Sequence, residues 1–430
     1  MRIVHEEDTD CQLDFSLAAW TRCKAVNPII LMTFFIIAIS ILIITYSYIG
    51  WRLIVPAGLS PTWNTILWAI LVLFMSTIPV SILLRVYGFS IFWTGILTWI
   101  AYLNLGFFSL VFVFLVVKDL ALLATYCVKK YFSLLRGVII SEPRPIEPIS
   151  LDRRCFIFRS INLGILGIAG ILMPYGLYEA RRRPVIVKVS VPIHDLPNDL
   201  EGFRIVQITD IHISPTIKRD YVQTIVHQVN GLKPDVIVFT GDLADGSVAG
   251  LSNDAAPLKD LSALYGSYFV TGNHEYYSGV RAWLKEIKRL GLIVLLNEHR
   301  IIQHGTGRIL MAGVTDYHAG RFLADHASNP YTALSNAPAS NIKILLAHQP
   351  RSIFDSSKAG FDLQISGHTH GGQYYPWNFL ISLQQPYVVG LHQHGKTWIY
   401  VSRGAGYWGP PLRLGAPSEI TMITLTRSNV

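Results

Sequence analysis

The chain has 430 residues, of which 51% are hydrophobic, 12% aromatic and only 15% charged, against about 25% charged in ordinary soluble domains. A mean hydropathy of +0.38 excludes a disordered chain, and four cysteines, all before residue 156, exclude a disulfide-stapled scaffold and leave the rest of the chain without thiolate chemistry. The net charge of +8 does not form a phosphate-tracking stripe, because Lys129, Lys130, Arg136, Arg153, Arg154, Arg159 and the arginines at 181–183 flank apolar runs; nucleic acid is therefore not an expected partner.

In chain order, residues 1–26 form an N-terminal segment whose acidic Glu6, Glu7, Asp8 and Asp10 do not suit a cleavable signal peptide. The run from Pro28 to Tyr48 has no charged side chain and matches the roughly 20 residues that a membrane-crossing helix needs. A second run covers Trp63 to Leu84, and a third, from Ile91 to Cys127, is interrupted only by Lys118 and Asp119. The third run could be a hairpin turning at Asn104-Leu105-Gly106, but a single packed helix also tolerates those residues and is the preferred reading. A fourth, Gly-rich run spans Ile161 to Leu177. Together they predict an all-α membrane domain of about four helices over residues 27–180, with the lipid bilayer as its first partner. Seven basic residues between Lys129 and Arg159 outnumber the four just after the last run, which places that loop in the cytoplasm and the C-terminal domain outside. Arg153-Arg154 before the last run resembles a twin-arginine export motif, and serves equally well as anchoring charge.

From Pro184 to Val430 apolar runs shorten and Gly, Pro and polar residues separate them, which predicts one α/β domain over residues 184–430. Expected strands are Phe203–Thr209, Val236–Thr240, Tyr268–Thr271, Ile309–Gly313, Ile342–Ala347, Leu363–Ser366, Trp398–Ser402 and Ile420–Leu425, with helices at Tyr221–Leu232 and Val280–Leu290. Five of these strands run into a metal-ligating residue type: Asp210-Ile211-His212, Gly241-Asp242, Gly272-Asn273-His274-Glu275, His348, and Gly367-His368-Thr369-His370. Each piece alone reads as a turn or a cap. Their conjunction at five strand ends, where open α/β sheets bind ligands, points to two-metal hydrolysis. Asp242 is the natural bridging carboxylate, and a nitrogen and oxygen shell without thiolate suits manganese, iron or zinc. Such a pair of ions holds a bridging hydroxide for in-line attack on phosphorus.

These five blocks resemble those of the calcineurin-like metallophosphoesterase superfamily, over Phe203 to the C-terminus. The resemblance implies a four-layer α/β/β/α sandwich. It also implies that Asp210, His212, Asp242 and His370 hold one divalent ion, that Asp242, Asn273, His348 and His368 hold the other, and that His274 contacts the phosphoryl oxygen and protonates the leaving group. Gly272–Gly279 and Ser402–Arg413 are similar to a membrane-anchored bacterial branch of phosphodiesterases, related to enzymes that cleave the pyrophosphate of UDP-2,3-diacylglucosamine. The expected protein is thus an integral membrane phosphohydrolase of a bacterial cell membrane, with its catalytic domain extracytoplasmic and a phosphorylated, lipid-linked or envelope phosphodiester as substrate. The alternatives are a cytoplasm-facing UDP-2,3-diacylglucosamine-type pyrophosphate hydrolase, and a non-catalytic scaffold or sensor on the same fold. Arg403 and Arg413 are candidates for a second phosphate or a headgroup, with ordinary ion pairing as the competing reading. Tyr276, Tyr277, Tyr374 and Tyr375 either line a substrate groove or pack with a wet hydroxyl.

Overall fold

A computed structural model of the chain describes residues 28–86, 91–137 and 151–428; the expected N-terminal segment lies outside the described residues. The chain divides into two compact units, one of residues 29–84 and 96–175, the other chiefly of residues 176–430.

The first unit is built on α1 (Pro28–Leu53), α2 (Pro61–Val86), α3 (Ile91–Gly137) and α4 (Leu151–Arg181). All four are long and apolar enough to cross a membrane. Ile44, Leu73 and Leu163 are 67–69% exposed on their outer faces, an arrangement that suits lipid and not water. Tyr46, Leu71, Ile78 and Ala101 pack inside. α3 is continuous through Asn104–Gly106: Asn104 Nδ2 donates to the Phe74 carbonyl at 2.7 Å, and its Oδ1 accepts from the Tyr46 hydroxyl at 3.1 Å. The residue that suggested a turn instead joins three helices by hydrogen bonds. At 47 residues, α3 is about 70 Å long, more than twice the roughly 30 Å hydrocarbon core. Six of the seven basic residues assigned to the loop after the third run therefore lie on α3 and α4, with Arg144 alone outside the described residues.

The second unit contains two six-stranded sheets. The first runs β1 (Val185–Ile193), β12 (Glu419–Arg427), β2 (Arg204–Ile208), β3 (Val236–Phe239), β4 (Ser267–Phe269) and β5 (Ile293–Val294). The second runs β10 (Gly390–His394), β11 (Thr397–Val401), β9 (Leu363–Ser366), β8 (Ile342–Leu346), β7 (Gly307–Gly313) and β6 (Glu298–His304). β2, β3, β4 and β5 are mutually parallel, as are β7, β8, β9 and β11.

Strand side chains alternate faces, and here both faces are buried. Val236 and Val238 point between the sheets with Met311 and Ile344. Ile237 and Phe239 point the other way, into a layer formed by α5 (Arg219–Gly231), α6 (Val248–Ala255) and, beyond the short α7 (Asn273–Tyr277), α8 (Val280–Arg289). On the far side of the second sheet Leu310, Ala312 and Leu345 meet Ala333 of α9 (Pro330–Ala333), while Ile399 and Val401 meet Ile353 of α10 (Ile353–Ala359). The result is the expected α/β/β/α sandwich. All eight expected strands form. The four that sequence reading missed, β1, β5, β6 and β10, are the two edges of each sheet. Edge strands need less apolar surface, and β6 (EHRIIQH) and β10 (GLHQH) show it.

Candidate metal centre

β2, β3 and β4 of one sheet and β8 and β9 of the other bring their carboxyl ends to one edge, so the five ligand blocks converge there. The local backbone is unusual. Asp210, His212, Asp242, His368 and His370 all have positive φ, between 51° and 73°, a left-handed conformation that costs a non-glycine residue about 1–2 kcal/mol. Hydrogen bonds impose it: the Asp210 amide donates to the Gly241 carbonyl at 3.0 Å, and the His212 amide to the Asp242 carbonyl at 3.2 Å. Bare glycines give the room. A Cβ on Gly272 would fall 2.1 Å from Asp242 Oδ1, and one on Gly367 2.2 Å from Asp210 Oδ2.

The side chains form two adjoining clusters. In the first, His370 Nε2 lies 3.0 Å from His212 Nε2 and 3.6 Å from Asp210 Oδ1. In the second, His348 Nε2 lies 3.1 Å from Asp242 Oδ2, 3.2 Å from Asn273 Oδ1 and 3.1 Å from His368 Nδ1. Asp242 stands between them, with Oδ2 3.7 Å from His212 Nε2. Asp210, His212, Asp242 and His348 are at most 2% exposed.

This donor set fits cations. His212 Nδ1 faces Asp245 Oδ1 at 2.9 Å and His348 Nδ1 faces the Thr240 carbonyl at 2.7 Å. Both partners are acceptors, so both Nδ1 atoms donate, and each ring in its neutral form turns an Nε2 lone pair into the site. Around His348 Nε2 stand a carboxylate oxygen, an amide oxygen and the His368 ring nitrogen, an oxygen and nitrogen set of the kind that holds a divalent ion. Among the described residues, neither cluster contains a cysteine.

His274 lies beside both clusters, with Nε2 4.0 Å from Asp242 Oδ2 and Nδ1 2.6 Å from Asp245 Oδ1. Burial pulls its imidazolium down, but the Asp245 and Asp242 carboxylates more than reverse this and raise it to about 9. The same two histidines, His212 and His274, hold Asp245 below the usual carboxylate range against the opposing effect of burial.

Sequence reading missed Asp245, whose one oxygen orients both rings. Its signal was its place three residues after Asp242 in Gly-Asp-Leu-Ala-Asp, where a carboxylate also reads as a turn residue. Glu275, quoted in its motif but given no role, accepts from the amides of Gly272 (2.7 Å), Leu243 (2.7 Å) and Asp242 (3.0 Å). It ties the turn after β4 to the turn after β3. Burial and the Asp242 carboxylate push it up to about 7.

Of the two candidate phosphate-binding arginines, Arg413 needs correction. Arg413 is fully buried, donates to the carbonyls of His370, Ala416, Arg403 and Gly406, and places Nη2 3.0 Å from His370 Nδ1. It packs behind His370 and offers no donor to a substrate. Arg403 pairs with Glu419 at 3.0 Å, the ion pairing that stood as its competing reading. Of the tyrosines, Tyr276 is buried and bonds His326 Nδ1 at 2.9 Å, whereas Tyr277 is 43% exposed with its ring 5.2 Å from that of His274. Tyr375 is exposed near Phe379. Trp408, which the sequence did not single out, is exposed 5.9 Å from the His274 ring. His392 and His394 lie on β10, half-buried and bonded to the Val389 carbonyl and the Tyr387 hydroxyl.

Comparison with known proteins agrees with this geometry. The calcineurin-like phosphoesterase family matches residues 203–372. A transmembrane protein with metallophosphoesterase domain from Danio rerio is 36% identical over 301 residues, covering 68% of each chain, a stretch longer than everything from Pro184 to Val430. An uncharacterized metallophosphoesterase of Helicobacter pylori strain J99 is 39% identical over 256 residues, 59% of this chain and 67% of that one. A Bos taurus transmembrane protein with metallophosphoesterase domain is 39% identical over 269 residues, 60% of this chain and 61% of that one. The chain belongs to the calcineurin-like metallophosphoesterases. It is a membrane protein and a metal-dependent phosphoesterase.

Proposed function

We propose that the protein holds two divalent ions and hydrolyses a phosphoester of an amphiphilic, lipid-linked or envelope substrate. The observation that carries this is the pair of ligand clusters sharing Asp242, beside exposed Tyr277 and Trp408. Asp210, His212, Asp242 and His370 would hold one ion, and Asp242, Asn273, His348 and His368 the other. When bound, such ions polarise the phosphoryl group and activate water for in-line attack; manganese, iron and zinc all suit the shell.

The chain's own residues do the rest. Asp245 fixes the ring of His212 for ligation and that of His274 for proton transfer. Its oxygen accepts from His274 Nδ1, so the proton available to the departing oxygen sits on His274 Nε2, which faces Asp242. The aromatic rims of Tyr277 and Trp408 suit an apolar substituent next to the phosphate, which supports a lipid-linked ester over a small polar one. Membrane orientation follows from charge: the stretch from Lys129 to Arg159 is the more basic flank, so the catalytic domain belongs outside the cytoplasm. Relatives occur in bacteria and animals alike, and the setting proposed here is a bacterial cell membrane.

The test is hydrolysis of a generic phosphodiester by purified full-length protein, before and after chelation, with metal counted by mass spectrometry. Near two ions per chain, loss of turnover on chelation and recovery with manganese or zinc are expected. Asp242→Asn should lower turnover by at least about 100-fold. Near-normal turnover in that variant at unchanged metal content would sink the mechanism.

A further inference from the structure

A second polar assembly lies within the helical unit. Near the end of α1, Arg52 pairs with Asp119 of α3 at 2.6 Å, and the Tyr48 hydroxyl donates to the same carboxylate oxygen at 2.6 Å. Next along α3, Lys118 donates to Asn162 Oδ1 of α4 at 2.8 Å, and Asn162 Nδ2 donates to the Arg52 carbonyl at 2.8 Å. One turn earlier on α4, Arg159 Nε donates to the Pro56 carbonyl at 3.1 Å. Its Nη2 occupies the space over Gly58, where a Cβ would come within 2.2 Å. The guanidinium is thus held in place through one nitrogen, and the residue remains exposed.

The charges do not cancel. Asp119 is taken by Arg52, and among the described residues no carboxylate lies within ion-pair distance of Lys118 or Arg159. Two positive charges in apolar helices demand an anion or a water-lined border. Arg159 and Asn162 also line a cavity of about 450 Å³ whose other walls include Leu67, Leu71, Phe74 and Leu166. That volume falls in the range of small-ligand sites. An apolar chain would satisfy the cavity and leave the cations unpaired, while a free anion would satisfy the cations and leave the cavity unfilled. A lipid with a phosphate headgroup satisfies both, and basic pockets between membrane helices recognise such headgroups.

We propose that the helical unit binds a phosphate-bearing anionic membrane lipid, with one chain in this cavity and the headgroup on Arg159 and Lys118. The site shares no residue with the metal ligands and does not depend on hydrolysis.

Full-length protein in nanodiscs of equal parts phosphatidylglycerol and phosphatidylcholine, transferred to detergent and weighed by native mass spectrometry, reports the lipid retained per chain. The wild type is expected to keep one phosphatidylglycerol in preference to phosphatidylcholine. Arg159→Gln should reduce that preference about fivefold, and Arg159→Lys should keep most of it. Leu67→Trp, which fills the cavity, should lower retention of both lipids. Equal retention of the two lipids by the wild type, or an unchanged preference in Arg159→Gln, overturns the proposal. Displacement of phosphatidylglycerol by equimolar inorganic phosphate also overturns it, because the chain would then contribute nothing. Bound lipid is counted and not turnover, so a protein with an inactive metal centre would still give a result.

Discussion

Asp245 holds two imidazoles with one carboxylate oxygen, at 2.9 Å from His212 and 2.6 Å from His274. Both contacts set which ring nitrogen donates to Asp245, and therefore which nitrogen faces the candidate metal site. Asn at this position keeps the size but presents a neutral, weaker acceptor that cannot serve both rings equally. We expect Asp245→Asn to lower metal affinity or turnover by about 10–100-fold, read from bound metal after dialysis and from initial rates. A near-native thermal melt alongside that loss would separate positioning from folding. Arg413 teaches the opposite lesson at the same scale. Its residue type suits phosphate, but its guanidinium is spent on backbone carbonyls and the ring of His370.

At the scale of elements, the turn after β4 carries the greatest constraint. Gly272 leaves room for Asp242 Oδ1, Glu275 collects three amides, and the His274 amide donates to Asp242 Oδ1 at 2.9 Å. Gly272→Ala would place a methyl 2.1 Å from that oxygen, so the turn must open. We expect hydrolysis and metal binding to fall together, while far-ultraviolet circular dichroism stays close to wild type because the β3 and β4 ladders lie before the turn. Within the membrane helices, Asn104 is the corresponding joint, with bonds to Tyr46, Phe74 and Thr77. Asn104→Leu should lower stability by about 0.6 kcal/mol and by no more than about 2 kcal/mol, measured by thermal inactivation in detergent. A stabilised variant would show that the polar joint costs more than it contributes.

Over the whole molecule, the orientation proposed above rests on the four candidate spans among the described residues. The more basic stretch, from Lys129 to Arg159, lies between the third and fourth spans. By the charge rule, the proposed orientation puts the C-terminal domain on the extracytoplasmic side. A reporter active only outside the cytoplasm, fused after Val430, should be active. A silent reporter, with a cytoplasmic one lit instead, would reverse the orientation and bring a cytosolic phosphate compound into view as substrate.

Much of this protein was legible in its sequence because the relevant physics is local. Membrane spans declare themselves by uninterrupted apolar length, central strands by apolar runs buried on both faces, and the ligand types by their place where those strands stop. Edge strands were not legible, since β6 and β10 bury too little apolar surface to stand out from loops. Nor were the roles of Asp245, Arg413 and Arg159. A carboxylate, a buried guanidinium and an unpaired one look alike in sequence. Their partners are His274, His370 and Pro56, which lie 29, 43 and 103 positions away. The sequence by itself determined the two-part architecture and the inventory of candidate metal-ligating side chains. Only the tertiary structure decided which charges are matched, which are spent on backbone and which remain free, because electrostatic pairing acts through space and leaves no periodic trace along the chain.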